Sequence, residues 1–320
     1  MTFTIDYRPL SERVTYRETL KRMHTKRGVL TTLAIATAIL ILLLLIVWVG
    51  WLHQLYIITY SSVAIIVYVF TIYDNRRRYQ ILKFTDHNNG LHLIEGRYPS
   101  EHSGMIFDLG HSRSITRAIA TSNGRPFQEI ANYTYDTGHG KSRRTHSYGF
   151  MCIALPRHLP HMILDAKGNN FLRLISTLPI GVDRNQTLSL EGDFNKHFTL
   201  YAPKKYETDA LYVFTPDIMQ IMIDDIQDYD VEIVDNMMYL YSNRTFNLTS
   251  PKRLQQLVTI ADTIYHKLQR RTDYYSDSRV DSRHEDRIAD HGRRLKNGIP
   301  TWAIIITLLV IGLFALITFS

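Results

Sequence analysis

Cysteine is almost missing from this chain: Cys152 is its one thiol. A single thiol closes no internal disulfide and cannot furnish a cysteine zinc site, which excludes stapled secreted scaffolds and fits a reducing compartment. Proline is scarce as well, 10 in 320 residues, while tyrosine is plentiful at 20. That balance describes a folded chain rather than a disordered one. Formal charge is wholly absent from three runs, 29–51, 55–73 and 300–319. Signature motifs of catalysis are absent too. There is no HExxH helix and no G-x-S-x-G elbow, so the common zinc-protease and serine-hydrolase readings fail.

The charge-free runs carry the first positive expectation. A helix rises about 1.5 Å per residue, so ~20 apolar residues cross a ~30 Å hydrocarbon core. The three runs therefore predict three membrane spans. Trp48, Trp51, Tyr56, Tyr73 and Trp302 sit near their ends, as interfacial aromatic rings do. Cations flank them at Lys21, Arg22, Lys26 and Arg27, at Arg76, Arg77 and Arg78, and at Arg293, Arg294 and Lys296. By the positive-inside rule, the N-terminus and central region are expected in the cytoplasm. The expected address is a multi-pass protein of a bacterial inner membrane, C-terminus outside. On that topology the Asn132, Asn185, Asn243 and Asn247 sequons are chance matches. The net charge is +7, but the first 27 residues supply +4 of it, leaving about +3 for the rest. A nucleic-acid binder would concentrate more positive charge on its folded part, so nucleic acid is not an expected partner.

Periodicity organises the middle of the chain. The expected plan is a basic tail over 1–28, a helical hairpin over 29–73 and a juxtamembrane helix and connector over 74–95. An α+β domain follows over 96–271, then a charged tether over 272–298 and a last span over 299–320. The segment 75–87 reads as a short basic helix stopped by Asn88-Asn89-Gly90, and 98–111 as loop. Residues 127–137 and 145–155 read as a hairpin around a polar glycine-rich turn, and 161–165, 187–190 and 198–202 as shorter strands. Thr215-Pro216-Asp217 predicts a helix start: hydroxyl cap, proline at the first position, an acid facing the dipole. Residues 231–234 and 238–241 read as a strand pair turning at Asp235-Asn236. Leu254, Leu257, Val258, Ala261, Tyr265 and Leu268 mark a final amphipathic helix. The expected fold class is thus three helical anchors plus a cytoplasmic α+β domain, with a mainly antiparallel sheet and two amphipathic helices.

Residues 190–224, with Phe194 and Phe198, Thr215-Pro216 and the later strand 238–241, resemble the hallmark segment of the DUF3137 family of bacterial membrane proteins. The hairpin 132–170 is similar to uncharacterised membrane proteins related to it. The resemblance implies an inner-membrane protein with a cytoplasmic α+β domain, and carries no activity or catalytic residue.

Tempting chemistry is weak elsewhere. Gly138-His139-Gly140-Lys141-Ser142 suggests a phosphate loop, but Tyr135 stands where the first glycine belongs and a strand follows in place of a helix. His158 and His161 are separated by Pro160 and cannot share a regular helical face. Cys152 lies within an apolar strand, a place for packing rather than nucleophilic attack. Asp224, Asp225 and Asp228 read as a polar helix face. One cluster stands out: His139, Lys141, Arg143, Arg144 and His146 gather at the hairpin turn. The expected function is a non-enzymatic, membrane-anchored interaction module without cofactor or metal. Its expected partners are the lipid bilayer and either a protein or anionic lipid headgroups. The alternative is a membrane-surface enzyme, hydrolase-like, using that turn as its active region.

Overall fold

The computed structural model describes residues 5–12, 14–15, 17–19, 37–41, 51–123, 126–169, 178, 180–280, 286–298, 307 and 311. They fall into two compact units. One is built on Ile5–Asn89, with Thr249–Pro251; the other holds Gly90–Leu248 and the chain from Lys252 on.

In the first unit, the short helix α1 (Arg8–Ser11) meets the long helix α2 (Trp51–His87). Tyr7 stacks on Phe84 with centroids 5.9 Å apart, and Gln80 donates to the Leu10 carbonyl. The helix stops where expected. Asn88 takes the Asp6 N–H at 2.7 Å and gives its amide protons to the carbonyls of Asp6 and Phe84. Gly90 then turns the chain at φ +91°.

The expectation of three membrane spans is corrected here. Among the described residues no helix is long and apolar enough to cross a membrane. The second expected run, 55–73, is part of the 37-residue α2. Hydroxyls punctuate it: Thr59, Ser61, Ser62 and Thr71 each donate to a carbonyl one turn back. The helix then runs on into Asp74, Arg76, Arg77 and Arg78. Absence of formal charge, the criterion applied to the sequence, overlooks this polarity. Several large apolar side chains on α2, among them Ile58, Ile66 and Phe70, are more than half exposed. The first and third expected spans, 29–51 and 300–319, lie almost entirely outside the described residues. The multi-pass inner-membrane address, its orientation and the integral-membrane description are withdrawn with the spans, and so is the topological argument against the sequons.

The second unit is a seven-stranded antiparallel sheet with helices. Its strands are β1 (Leu91–Tyr98), β2 (His111–Thr121), β3 (Glu129–Thr137), β4 (Arg144–Ala166), β5 (Thr187–Leu188), β6 (Phe198–Tyr201) and β7 (Asp230–Ser242). The first four follow one another in sheet order, and β6 and β5 continue from β4. The 23-residue β4 is the spine. Along one edge it meets β3 over 144–152 and β6 over 163–166, while β7 runs along the other from 149 to 164. Pro156 and Pro160 fall where the shared β3/β6 edge has no strand partner and the β7 register slips. Proline lacks the N–H that a ladder needs, so that gap is where a long strand tolerates it.

β4 and β7 are buried on both faces. Phe150, Cys152, Tyr239 and Tyr241 belong to one cluster, and their alternates Met151, Ile153, Met238 and Leu240 are buried as well. Over the first face lies 99–110, expected as plain loop. It carries Phe107 into the rings of Tyr133 (4.8 Å between centroids) and Phe150 (5.0 Å). Residues 231–241 form one strand, correcting the expected pair. Asp235 takes φ +55° at a register slip opposite Leu159, so the chain bulges and continues.

Helices α3 (Phe194–His197), α4 (Glu207–Val213), α5 (Pro216–Asp225), α6 (Pro251–Thr272) and α7 (Asp290–Arg293) complete the unit. The stripe expected on α6 is the buried one, from Leu254 through Leu268. At the start of α5 the Thr215 hydroxyl donates to Asp217 Oδ1 at 2.5 Å in place of capping a backbone N–H.

The charged stretch after α6, expected outside the core, is tied down. Asp277 is buried and accepts from Tyr206 Oη (2.5 Å) and from the N–H of Ala289 (3.0 Å). Arg279 spans Asp277 (3.2 Å) and Asp209 (3.0 Å) and lies 4.1 Å over the Tyr206 ring. Arg294 grips Asp235 through two parallel 3.1 Å bonds. Charge density in the sequence disguised a segment whose charges pair inward.

Candidate functional site

The hairpin turn sits between β3 and β4, whose register runs unbroken from Glu129 opposite Cys152 to Thr137 opposite Arg144. A single 3-10 turn, Gly140–Ser142, closes it, and Gly138 and Gly140 take φ +69° and +56°. A Cβ at position 138 would stand 2.5 Å from the Ser142 carbonyl oxygen, so glycine is required there.

The five residues singled out from sequence share this end but not one role. Asp136 is buried; the Thr145 hydroxyl first and the Arg143 guanidinium next, each at 2.6 Å, hold its carboxyl below the usual carboxylate range. Arg143 is thereby spent on the fold. His146 bonds Thr137 Oγ1 at 2.9 Å and stacks on Tyr135. His139 is exposed and stacks almost parallel on His111, with centroids 4.6 Å apart. His111 Nε2 in turn reaches the Gly138 carbonyl at 2.8 Å. Sequence reasoning missed His111, which starts β2 and comes alongside only through strand pairing. Nearby Arg113 bonds the carbonyls of Asp108, Leu109 and Gly110. Lys141 and Arg144 are exposed, and among the described residues neither forms an ion pair. The turn thus presents two uncommitted cations beside an imidazole stack, on a rigid two-stranded support.

The residue types best suited to acid–base chemistry lie elsewhere and are bonded to one another. Glu232, 1 % exposed, accepts from His161 Nε2 (2.8 Å), the Met105 N–H (2.7 Å) and Tyr241 Oη (2.7 Å). His161 Nδ1 accepts the Leu295 N–H at 2.9 Å. A backbone N–H only donates, so the imidazole proton sits on Nε2 and faces the carboxylate. The site is close-fitted: a Cβ on Gly104 would stand 2.1 Å from Tyr241 Oη. A second pair, His102 and Glu129, meets at 2.5 Å, with Tyr98 donating to Glu129 and Tyr239 Oη 3.3 Å from His102 Nδ1. These bonds cross-link β1, β3, β4 and β7 with the 99–110 segment. Removing one partner of such a buried hydrogen bond, so that the other is left unsatisfied, costs roughly 1–3 kcal/mol.

Asp165 and Asp230 form a third buried group. Burial first, then the neighbouring Asp165 charge, push the Asp230 carboxyl up to about 7, while the Ala166 N–H at 2.9 Å opposes the shift. A sequence signal existed for these groups: Glu232 and Asp165 sit within the apolar strings Val231-Glu232-Ile233-Val234 and Ile163-Leu164-Asp165-Ala166. Their partners were not legible. His158 and His161 both lie on β4 and have different partners: His158 Nδ1 lies 3.1 Å from Asp286, while His161 turns to Glu232. Cys152 is fully buried, and burial pushes its thiol well up, away from a nucleophilic thiolate. Among the described residues no group of three or more His, Cys, Asp or Glu is placed to hold a metal ion.

No family model matches this chain, and no curated protein matches it. The DUF3137 resemblance therefore supplies no assignment, and that family description is withdrawn together with the membrane one. Among solved structures the chain is similar to the crystal structure of the mycobacterial trehalose monomycolate transport factor A. The identity is 9 %, over 60 % of this chain and 94 % of that one, with a TM-score of 0.36. Similarity at that level transfers neither fold nor activity.

Proposed function

We propose that the sheet unit is a non-enzymatic interaction module which receives an acidic face of a protein partner at the end of the β3–β4 hairpin. One observation carries the reading: exposed Lys141 and Arg144 form no ion pair among the described residues, while neighbouring Arg143 is committed to Asp136. Cations left unneutralised at the end of a hydrogen-bonded hairpin steer and hold an anionic surface, because no internal ion pair has first to be broken. Only His139, Lys141 and Arg144 of the five side chains are displayed outward without a side-chain bond, Arg143 and His146 being held by Asp136 and Thr137, and the His–Glu pairs that could do proton transfer are consumed in bonds within the fold. Both points favour a binding role over the hydrolase-like alternative.

The test is fluorescence anisotropy of a labelled oligo-glutamate peptide with the full-length protein. Lys141→Glu combined with Arg144→Glu is expected to weaken binding about tenfold or more, and added salt to weaken the wild type more steeply than the double variant. Equal affinity for both proteins would refute the assignment. Circular dichroism checks that the double variant is folded, as exposed turn positions predict.

A further inference from the structure

A second charged surface lies in the same unit, at the C-terminal half of α6. Residues His266, Lys267, Arg270 and Arg271 are exposed on this helix, away from the buried side that runs on through Leu268 to Thr272. With Asp217 at the start of α5, and Asp262, they line an open trough of about 620 Å³. Both carboxylates in it are already engaged. Asp217 accepts from Lys267 at 2.9 Å and from the Thr215 hydroxyl, and Asp262 faces His266 at 3.4 Å. The Thr215 hydroxyl, then Lys267, hold the Asp217 carboxyl down to about 2, so it stays ionised and keeps Lys267 in place. Arg270 is exposed and, among the described residues, has no ion pair.

Apolar surface adjoins these charges. Tyr212 on α4 donates to the Arg271 carbonyl at 2.7 Å, and the Arg271 guanidinium stands 5.9 Å from its ring centroid. Leu211 beside it is 50 % exposed, and Tyr274, three residues past Arg271, is 89 % exposed. The Arg271–Tyr212 contact joins α4 to the end of α6, and exposed Leu211 and Tyr274 lie on the chain segments next to these two residues, so the arginines and the apolar side chains together have the composition of a protein-binding surface.

We propose that this trough docks an acidic segment of a partner protein that also carries an aromatic or aliphatic anchor. Charge complementarity selects the occupant: the uncommitted charge is positive, and a segment alternating acids with apolar residues satisfies both halves of the surface. Discrete acidic side chains can reach Arg270 and Arg271 while avoiding Asp217 and Asp262, whereas a continuous anionic lipid surface would bring charge against both. The surface is distinct from the hairpin end and independent of its role.

The experiment uses the full-length protein carrying Lys141→Glu and Arg144→Glu, so that any contribution of the hairpin end is removed. The probe is a fluorescein-labelled peptide of repeating Glu-Glu-Phe-Leu, followed by anisotropy. Arg270→Glu is expected to weaken binding about tenfold, Arg270→Gln by less, and Tyr274→Ser several-fold. A peptide with serine in place of Phe and Leu is expected to bind several-fold more weakly, and phosphatidylserine vesicles are expected to compete poorly. Unchanged affinity of Arg270→Glu overturns the proposal. So does equal binding of the serine peptide, which would mean bare electrostatic attraction, or efficient competition by the vesicles, which would mean a lipid surface. Both Arg270 variants are exposed helix positions, and helical circular dichroism confirms their fold.

Discussion

At Asp230 a carboxyl group is asked to stay protonated near neutrality. Its ordinary value is 3.8, and burial beside Asp165 lifts it to about 7. Below 3.8 both folded and unfolded chains hold the proton. Between the two values only the fold does, so stability falls as pH rises through that window, at roughly 1 kcal/mol per pH unit from this group. Past about 7 the loss is complete. Asp230→Asn keeps an acceptor for the Ala166 N–H and has no proton to lose. Its urea midpoint is therefore expected to gain on the wild type as pH climbs through the window, then level off. Parallel profiles would show that the carboxyl is ionised in the fold. Nothing in the string Asp230-Val231-Glu232 announces this. The apolar context shows that an acid faces inward; which acid it meets depends on how β4 and β7 align.

Among the elements, the stretch after α6 differs most from its sequence appearance. Arg279 ties it to α4 by bridging Asp277 and Asp209 while stacking on Tyr206. A lysine retains the charge but cannot span two carboxylates and lie flat on a ring. Arg279→Lys is expected to cost about 1–2 kcal/mol and to speed proteolysis within 273–298 ahead of global unfolding, as limited digestion followed by mass spectrometry would show. Unchanged cleavage would mean that Asp277 and its backbone donors suffice. The turn end of the hairpin behaved differently. Its glycines, its charges and its strand alternation are local properties, and the register from Thr137 to Glu129 follows from the tightness of the turn. His111 completes that surface from another strand and was invisible for that reason.

For the molecule as a whole, every strand of the sheet and, apart from the first residue of α6, the helices α3 to α7 lie in the compact unit that begins at Gly90. A fragment of residues 90–298 is expected to unfold in a single cooperative transition, with the near-ultraviolet signal of its packed tyrosines intact. A broad transition without that signal would show that the sheet depends on residues outside this range. Sequence alone determined the helix stripe from Leu254 to Leu268, the start of α5 at Pro216 and the β3–β4 hairpin. Each of these is dictated by neighbours a few residues apart, through propensity, period and turn chemistry. Tertiary structure alone decided that Glu232 meets His161 across 71 residues and that the charged stretch after α6 folds inward. It also decided that 231–241 is one bulged strand and that no described helix has the length and apolarity of a span. Such pairings follow from which surfaces bury one another, and a count of charges along the chain records no burial.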